Sequence, residues 1–381
     1  MVTSVSVSRA ADAVRRGLDP VPMPATASAP KRRAVRYLRP VLPVVIVAAV
    51  FGFLLPRLGS YDSAWVGLTS MSWRQTALVA AVAALNLTVS WGMIVSLLPS
   101  LRLREAAVLN LGPTAVANTV PAGEAAALGM SWTMLSSWGI GTAEYVRYTL
   151  VSGIFNVLAK LALPVVALAI LALTGEPTAG LAAGAVAGLI LLLCGGAGLF
   201  VVLRGDPRHA RHMVRALEGL VGVACRLARR PRPGPLGPAL TDFRRDTRAL
   251  LAARGKRIAL ATAATHLSLA LVLITCLYAG GVTQAQVSWQ TALAAFAFVR
   301  LLSALPVTPG GVGVVELALT SMLCAGLDGP TAAKATAAVL LFRTITYLLP
   351  IPLGAAAYLT WQNNSSWRMT PPLRTALGHR H

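Results

Sequence analysis

Acidic residues are scarce in this chain. Thirteen Asp and Glu stand against thirty-four Lys and Arg in 381 residues. No pair of carboxylates occurs at catalytic spacing in the segments between apolar runs, which removes the usual acid/base hydrolases. The four cysteines show no CxxC spacing. Cys194, Cys276 and Cys324 lie in apolar runs and Cys225 in a basic segment, so they read as small packing residues rather than metal ligands or disulfides. GxSxG, HExxH, P-loop and dinucleotide-binding patterns are also missing, as is any clustered His/Cys set. No cofactor or metal is expected. Without an ATP site, any work must come from a gradient or a downhill lipid distribution.

What is abundant is apolar sequence. The chain is 56% hydrophobic and only 12% charged, and uncharged windows long enough to cross a bilayer recur along it. The fold class expected is therefore an all-α polytopic membrane protein. Six segments read as full spans, at about 40–56, 75–98, 146–173, 179–203, 258–279 and 332–360. Two more apolar stretches, 105–136 and 289–326, are each interrupted by a Pro/Gly cluster: "TVPAGE" (Thr119–Glu124) and "LPVTPGGVGVVE" (Leu305–Glu316). Each half is short for a bilayer crossing, and irregular backbone at membrane depth survives only where protein or water covers it. Each stretch could be two short spans, a single kinked helix or a re-entrant hairpin; the need for cover favours two re-entrant hairpins, with Pro121 and Gly123 at one tip and Pro309, Gly310, Gly311 and Gly313 at the other.

Charge orients the layout. Residues 1–39 hold eight Lys/Arg against Asp12 and Asp19, and residues 204–257 hold fourteen against four acids. Arg102, Arg104, Arg368, Arg374 and Arg380 fall on the same side, whereas the opposite loops carry only Arg57 and Arg74, both at span ends. This positive-inside pattern places both termini in the cytoplasm of a bacterial plasma membrane. It also explains the basic charge without nucleic acid as a partner. The organisation expected is a disordered tail over 1–37, a membrane domain over 38–361 and a tail over 362–381. The membrane domain divides into a first half (38–203), a basic cytoplasmic segment (204–257) and a second half (258–361). Within the basic segment, "RHMVRALEGLVGVACRLARR" has the pattern of a helix on an anionic leaflet, although a plain topology-determining loop explains it as well.

On this layout the first hairpin enters from the cytoplasm and the second from the opposite face. "MLSSWGIGTAEY" follows one break and "MLCAGLDGPTAAK" the other, and each is succeeded by a long proline-containing helix, with Pro164 in one and Pro350 and Pro352 in the other. Similar units of opposite orientation suggest an inverted repeat of the kind transporters use.

Ionisable residues inside spans are costly and are candidates for function. They are Glu124, Lys160, His266, Arg300, Glu316, Lys334 and Arg343. His266 reads as a packing histidine. Glu124 and Glu316 each stand in the first turn of the helix leaving a tip, where a carboxylate gains from the helix dipole and can accept free N–H groups. Pairing of Glu316 with Arg343 or Arg300 is the structural alternative to ligand binding. Even so, two acids cannot neutralise four cations. The expected headgroup cavity, formed by Glu124, Lys160, Arg300, Glu316, Lys334 and Arg343, keeps a positive excess suited to an anionic group such as phosphate.

"LLSALPVTPGGVGVVELALTSML" with "AAVLLFRTITYLLPIPLG", and more loosely "NTVPAGEAAALG", resemble signatures of the lysylphosphatidylglycerol synthase transmembrane-region family of flippase-like membrane proteins. The resemblance runs from about residue 40 to 361. It implies movement of lipids with charged or sugar heads between leaflets, with anionic phospholipid, glycolipid or polyprenyl-phosphate lipid as partners. The bifunctional synthases carry a soluble aminoacyltransferase domain after the membrane region, and this chain ends about 20 residues past its last span. The expectation is therefore a translocase rather than an enzyme. Family members also commonly carry an Arg and an acid where "LVSGIFNVL" has Gly153 and Asn156. The alternatives are an accessory or scaffold subunit for an envelope-lipid enzyme and a membrane-embedded polyprenyl-lipid transferase. A second copy of the chain or such an enzyme would be the protein partner.

Overall fold

A computed structural model of the chain describes residues 71–119, 123–174, 236–303 and 311–364, together with a few helical positions between 186 and 193. The expected spans at 40–56 and most of 179–203, the leaflet-lying helix, the N-terminal tail, the C-terminal tail beyond residue 364, and Pro121, Pro309 and Gly310 lie outside the described residues. Among those residues every regular element is helical. The elements are α1 (Trp73–Leu97), α2 (Leu103–Thr119), α3 (Gly123–Ser137), α4 (Thr142–Thr174), α5 (Leu236–Ala279), α6 (Trp289–Leu302), α7 (Val314–Leu323), α8 (Gly329–Arg343), a π-helical turn (Thr344–Leu348) and α9 (Pro350–Asn363). Among the described residues, four helices are long and apolar enough to cross a membrane: α1, α4, the 241–279 part of α5, and the 329–363 run through the π turn. They match the expected spans at 75–98, 146–173, 258–279 and 332–360.

Apolar side chains point outward from these helices. Leu78, Val157, Leu260 and Leu271 are each more than one-third exposed, and Leu260 is 71% exposed. A soluble monomer rarely leaves so much apolar surface uncovered, but acyl chains cover it readily. Polar groups are handled internally, as lipid requires. Thr88, Ser90 and Ser96 donate to carbonyls four residues back, while Asn86 donates to the Thr265 carbonyl (3.2 Å) and Ser268 Oγ (2.8 Å), tying α1 to α5.

Both interrupted stretches fold as helix pairs. In the first, a Cβ on Gly112 would meet Met130 and Met134, while one on Gly123 would press into the Ala117 and Val116 carbonyl oxygens at 2.6 and 2.7 Å. Rising numbers on one arm thus face falling numbers on the other, so α2 and α3 are antiparallel. In the second pair, α6 and α7 have 14 and 10 residues. These lengths correspond to about 21 and 15 Å, short of a ~30 Å hydrocarbon core. Glycine is required at the restart of α7: Gly311 has φ +70° and Gly313 φ +83°, values that a Cβ resists.

Two boundaries differ from expectation. The helix expected at 258–279 is the second part of a 44-residue helix beginning at Leu236, so the last part of the expected cytoplasmic segment, from Leu236 on, is helical. Its sequence explains this: 239–257 is rich in Ala, Leu and Arg and contains no proline. Arg147 of α4 pairs with Asp246 at 3.5 Å, and Leu250 and Leu251 pack on a small core of Leu97, Val151 and Ile258, so the extension is held by contacts. The last span is also not a continuous α-helix. Pro350 and Pro352 offer no N–H and crowd the preceding turn, and the chain widens so that the Leu349 N–H reaches the Thr344 carbonyl, five residues back, at 2.8 Å.

The buried side chains form two main clusters. One gathers around α6–α7 with α5, α8 and the C-terminal part of α4. The other gathers around α2–α3 with the end of α1 and Ala357 and Trp361 of α9. Gly354 lets α9 lie directly on α2, where a Cβ would collide with the Leu111 carbonyl oxygen and come within 2.5 Å of Ala115 Cβ.

Candidate functional site

The break before α7 positions its carboxylate. Starting a helix at Val314 leaves N–H groups unpaired in the first turn, and Glu316 reaches back so that Oε2 accepts the Gly313 N–H at 2.7 Å. Its other oxygen accepts from Arg343 Nε at 2.7 Å. Both side chains are largely buried, at 17% and 11% exposure. The Arg343 guanidinium also lies 4.8 Å from the centre of the Tyr347 ring, a cation–π contact. The π turn brings Tyr347 round to this position, directly after Arg343.

Tyr347 extends the network to the other half of the molecule. Its hydroxyl donates to the Asn118 carbonyl at 2.6 Å, and Asn118 Nδ2 donates to the Tyr347 carbonyl at 2.9 Å. Asn118 is the penultimate residue of α2, immediately before the first break. A continuous set of polar contacts therefore links one helix break to the other: Asn118, Tyr347, Arg343, Glu316, Gly313.

Beside this network lies a cavity of about 200 Å³. Thr114 and Asn118 of α2 form one wall, and Arg300 and Ser303 at the end of α6, with Val315 and Leu319 of α7, form another. Arg343, Thr346 and Tyr347 close it. Arg300 differs from Arg343: none of the ion pairs among the described residues includes it, and its buried Nε has no hydrogen-bond partner there. Lys160 of α4 is half-buried, within electrostatic reach of Arg300 and Glu124. Glu124 is exposed in the first turn of α3.

The structure thus brings Arg300, Glu316 and Arg343 together, and places Lys160 within electrostatic reach of both Arg300 and Glu124, with neither Lys160 nor Glu124 lining the cavity. Lys334 is exposed on α8, in the neighbourhood of Gly281 and Asp328, and does not line the cavity. His266 is 3% exposed and bonds through Nε2 to Asn156 Oδ1 at 3.0 Å. That makes it a half-satisfied packing histidine, because Nδ1 has no partner among the described residues. Sequence reasoning missed Thr114, Asn118, Ser303, Thr346 and Tyr347 because it sought ionisable groups only. The available signal was a run of polar side chains at spans and breaks where lipid favours none.

The fold and this site define a multi-pass helical membrane protein with a cavity of mixed polar and apolar lining between its two interrupted helix pairs. The model for the lysylphosphatidylglycerol synthase TM region matches residues 41–354, and the chain belongs to that family. No curated protein matches it.

Proposed function

We propose that the protein is a lipid translocase, moving a lipid with an anionic or sugar head between the leaflets of a bacterial plasma membrane. The observation that carries this reading is a cavity between the interrupted helix pairs that holds an arginine with no counter-ion among the described residues. Such a guanidinium is costly at membrane depth unless a ligand completes it. Family membership adds a link to membrane lipid chemistry.

The mechanism follows from an inverted repeat in which α1 matches α5, α2 matches α6, α3 matches α7, and α4 matches the α8–α9 run. Packing supports this correspondence. The α1–α5 pair maps onto itself, α2 on α9 maps onto α6 on α4, α1 with α2 onto α5 with α6, and α1 with α4 onto α5 with α8. Hairpins entering from opposite faces, with both termini cytoplasmic, would meet at the cavity. Rocking of one half against the other would then expose the headgroup to each leaflet in turn. Within this scheme Arg300 binds the head, Lys160 and Glu124 set the local charge, and the Glu316–Arg343 pair holds the second tip closed.

The test is reconstitution of the purified chain alone in liposomes carrying a fluorescent lipid, with a membrane-impermeant quencher added outside. Loss of signal from inner-leaflet lipid, abolished by Arg300→Gln, is expected. Absence of movement in well-folded protein would favour a scaffold for an envelope-lipid enzyme instead, and product formed from an added donor would favour a polyprenyl-lipid transferase.

A further inference from the structure

Packing alone does not account for His266. The Asn156 amide oxygen can only accept, so the 3.0 Å bond to it fixes the imidazole proton on Nε2 and leaves the lone pair of the neutral ring on Nδ1. That atom is sealed from solvent, on a side chain 3% exposed, and no donor among the described residues reaches it. A leucine or phenylalanine would fill the same space without burying an unmet acceptor. What an imidazole offers there, and an apolar side chain does not, is a place for a proton.

The surrounding charges decide when that proton comes. One face of α4 sets Asn156 on the ring and Lys160 a turn further on, and α6 brings Arg300; both cations act on His266 electrostatically. From α1 comes only the uncharged Asn86, bonded to the Thr265 carbonyl and to Ser268. On α8, Arg343 is paired with Glu316, and Lys334 stands beside Gly281, past the other end of α5. Of the two carboxylates in this set, Glu316 is held by Arg343 and Glu124 acts on Lys160. Arg300 belongs to none of the ion pairs among the described residues. A proton on His266 is therefore opposed by Arg300 while that arginine is bare, and an anion seated on Arg300 cancels the opposition. Proton and anion favour each other's binding, and the effect is reciprocal. The two places adjoin: Leu269, one turn along α5 from His266, lines the cavity together with Arg300.

Resting on the translocase reading with an anionic head, we infer that His266 is the site that couples lipid movement to a proton. Nδ1 takes a proton from the water of one side when the anion is on Arg300, and gives it to the water of the other side when the anion leaves. One negative charge and one proton cross together, so the step carries no net charge. A proton gradient then supplies the work for which the chain has no ATP site. The sealed position of Nδ1 suits this role, because a base open to water on both sides at once would leak protons instead of carrying them with the lipid.

The experiment places the full chain in phosphatidylcholine vesicles holding a trace of acyl-labelled fluorescent phosphatidylglycerol as the anionic probe. An impermeant quencher reports the outer leaflet, and protein-free vesicles set the baseline. With the interior one pH unit more acid than the outside, the label is expected to gather in the outer leaflet. The limiting ratio is about tenfold for one proton per lipid. Reversing the gradient should reverse the asymmetry, and a potassium diffusion potential should leave it unchanged, since no net charge crosses. His266→Gln keeps an amide for Asn156 but takes no proton. It should still level the label between leaflets while losing the response to the gradient. Should that variant fail to insert, the wild type decides alone. Unlabelled phosphatidylglycerol added to the outer leaflet, with no gradient imposed, should acidify an internal pH dye by about one proton per lipid moved. Levelling of the label whatever the gradient, lipid entry without acidification, or an undiminished gradient response in His266→Gln would overturn the coupling and leave the translocase standing. Absence of any protein-dependent movement would remove the translocase, and the coupling with it.

Discussion

Replacing Glu316 by glutamine deletes the counter-ion of Arg343 while retaining an oxygen for the Gly313 N–H. The structure allows the consequence to be sized. The pair is 2.7 Å apart with both side chains less than one-fifth exposed, so screening is weak and the guanidinium loses its carboxylate while keeping its stacking on Tyr347. Removing one partner of such a pair costs roughly 3–5 kcal/mol, whereas removing both leaves no unpaired charge and is close to neutral. The double variant Glu316→Gln with Arg343→Gln should therefore recover most of the loss. It still forfeits the cation–π contact, worth about 0.5–2 kcal/mol. Thermal unfolding in detergent, followed by tryptophan fluorescence, is a suitable assay. At about 2–4 °C per kcal/mol for a body of this size, the single variants should lie of order 10 °C below the wild type and the double variant within a few degrees of it. A coupling energy of at least about 2 kcal/mol from the cycle is expected. Because Arg300, not Arg343, is assigned the headgroup, the double variant should also keep measurable lipid movement. Additive losses in the cycle, leaving the double variant less stable than either single one, would refute the reasoning that the pair is a closed structural unit.

Three further outcomes are expected. Gly123→Ala places a methyl group 2.6 and 2.7 Å from two backbone oxygens of α2 and should lower the unfolding temperature more than Gly313→Ala, which enters open space and bears mainly the roughly 1–2 kcal/mol of a left-handed residue. Asn118→Ala removes one of the two bonds joining the first break to Tyr347, at a cost of about 1 kcal/mol in stability. Lipid movement should fall further than that loss explains, and an unchanged rate would show that the two breaks act independently. For topology, Gln284→Cys and Asp328→Cys should react with an impermeant thiol reagent from outside the cell, while Arg245→Cys, exposed on the α5 extension, should react only after the membrane is opened. External labelling of position 245 would invert the layout and remove the basis for hairpins entering from opposite faces.

Much of this protein is legible from its sequence because the bilayer is a demanding solvent. An apolar run must be a helix there, since no water is available for its backbone, so α1, α4 and the apolar part of α5 are visible as runs of side chains. The breaks at "TVPAGE" and "PVTPGG" are equally visible, because proline and glycine act on the backbone locally. Glu316 at the start of α7 follows from the same local rules. The extension of α5 to Leu236 was less apparent, because a charged, Ala- and Arg-rich stretch helical only by propensity and contact resembles a basic loop. Which cation takes Glu316 was a matter for the tertiary structure alone. Arg343 and Arg300 stand 27 and 16 residues from it, and both line the same cavity. The choice depends on how α7 and α8 rotate about their axes, on the π turn that Pro350 and Pro352 impose, and on Tyr347 meeting Asn118 from 229 residues away. Spacing along the chain places residues on one helix face. Only the packing of several helices, set by contacts as particular as Gly354 against Leu111, determines which faces meet and which charge has no partner among the described residues.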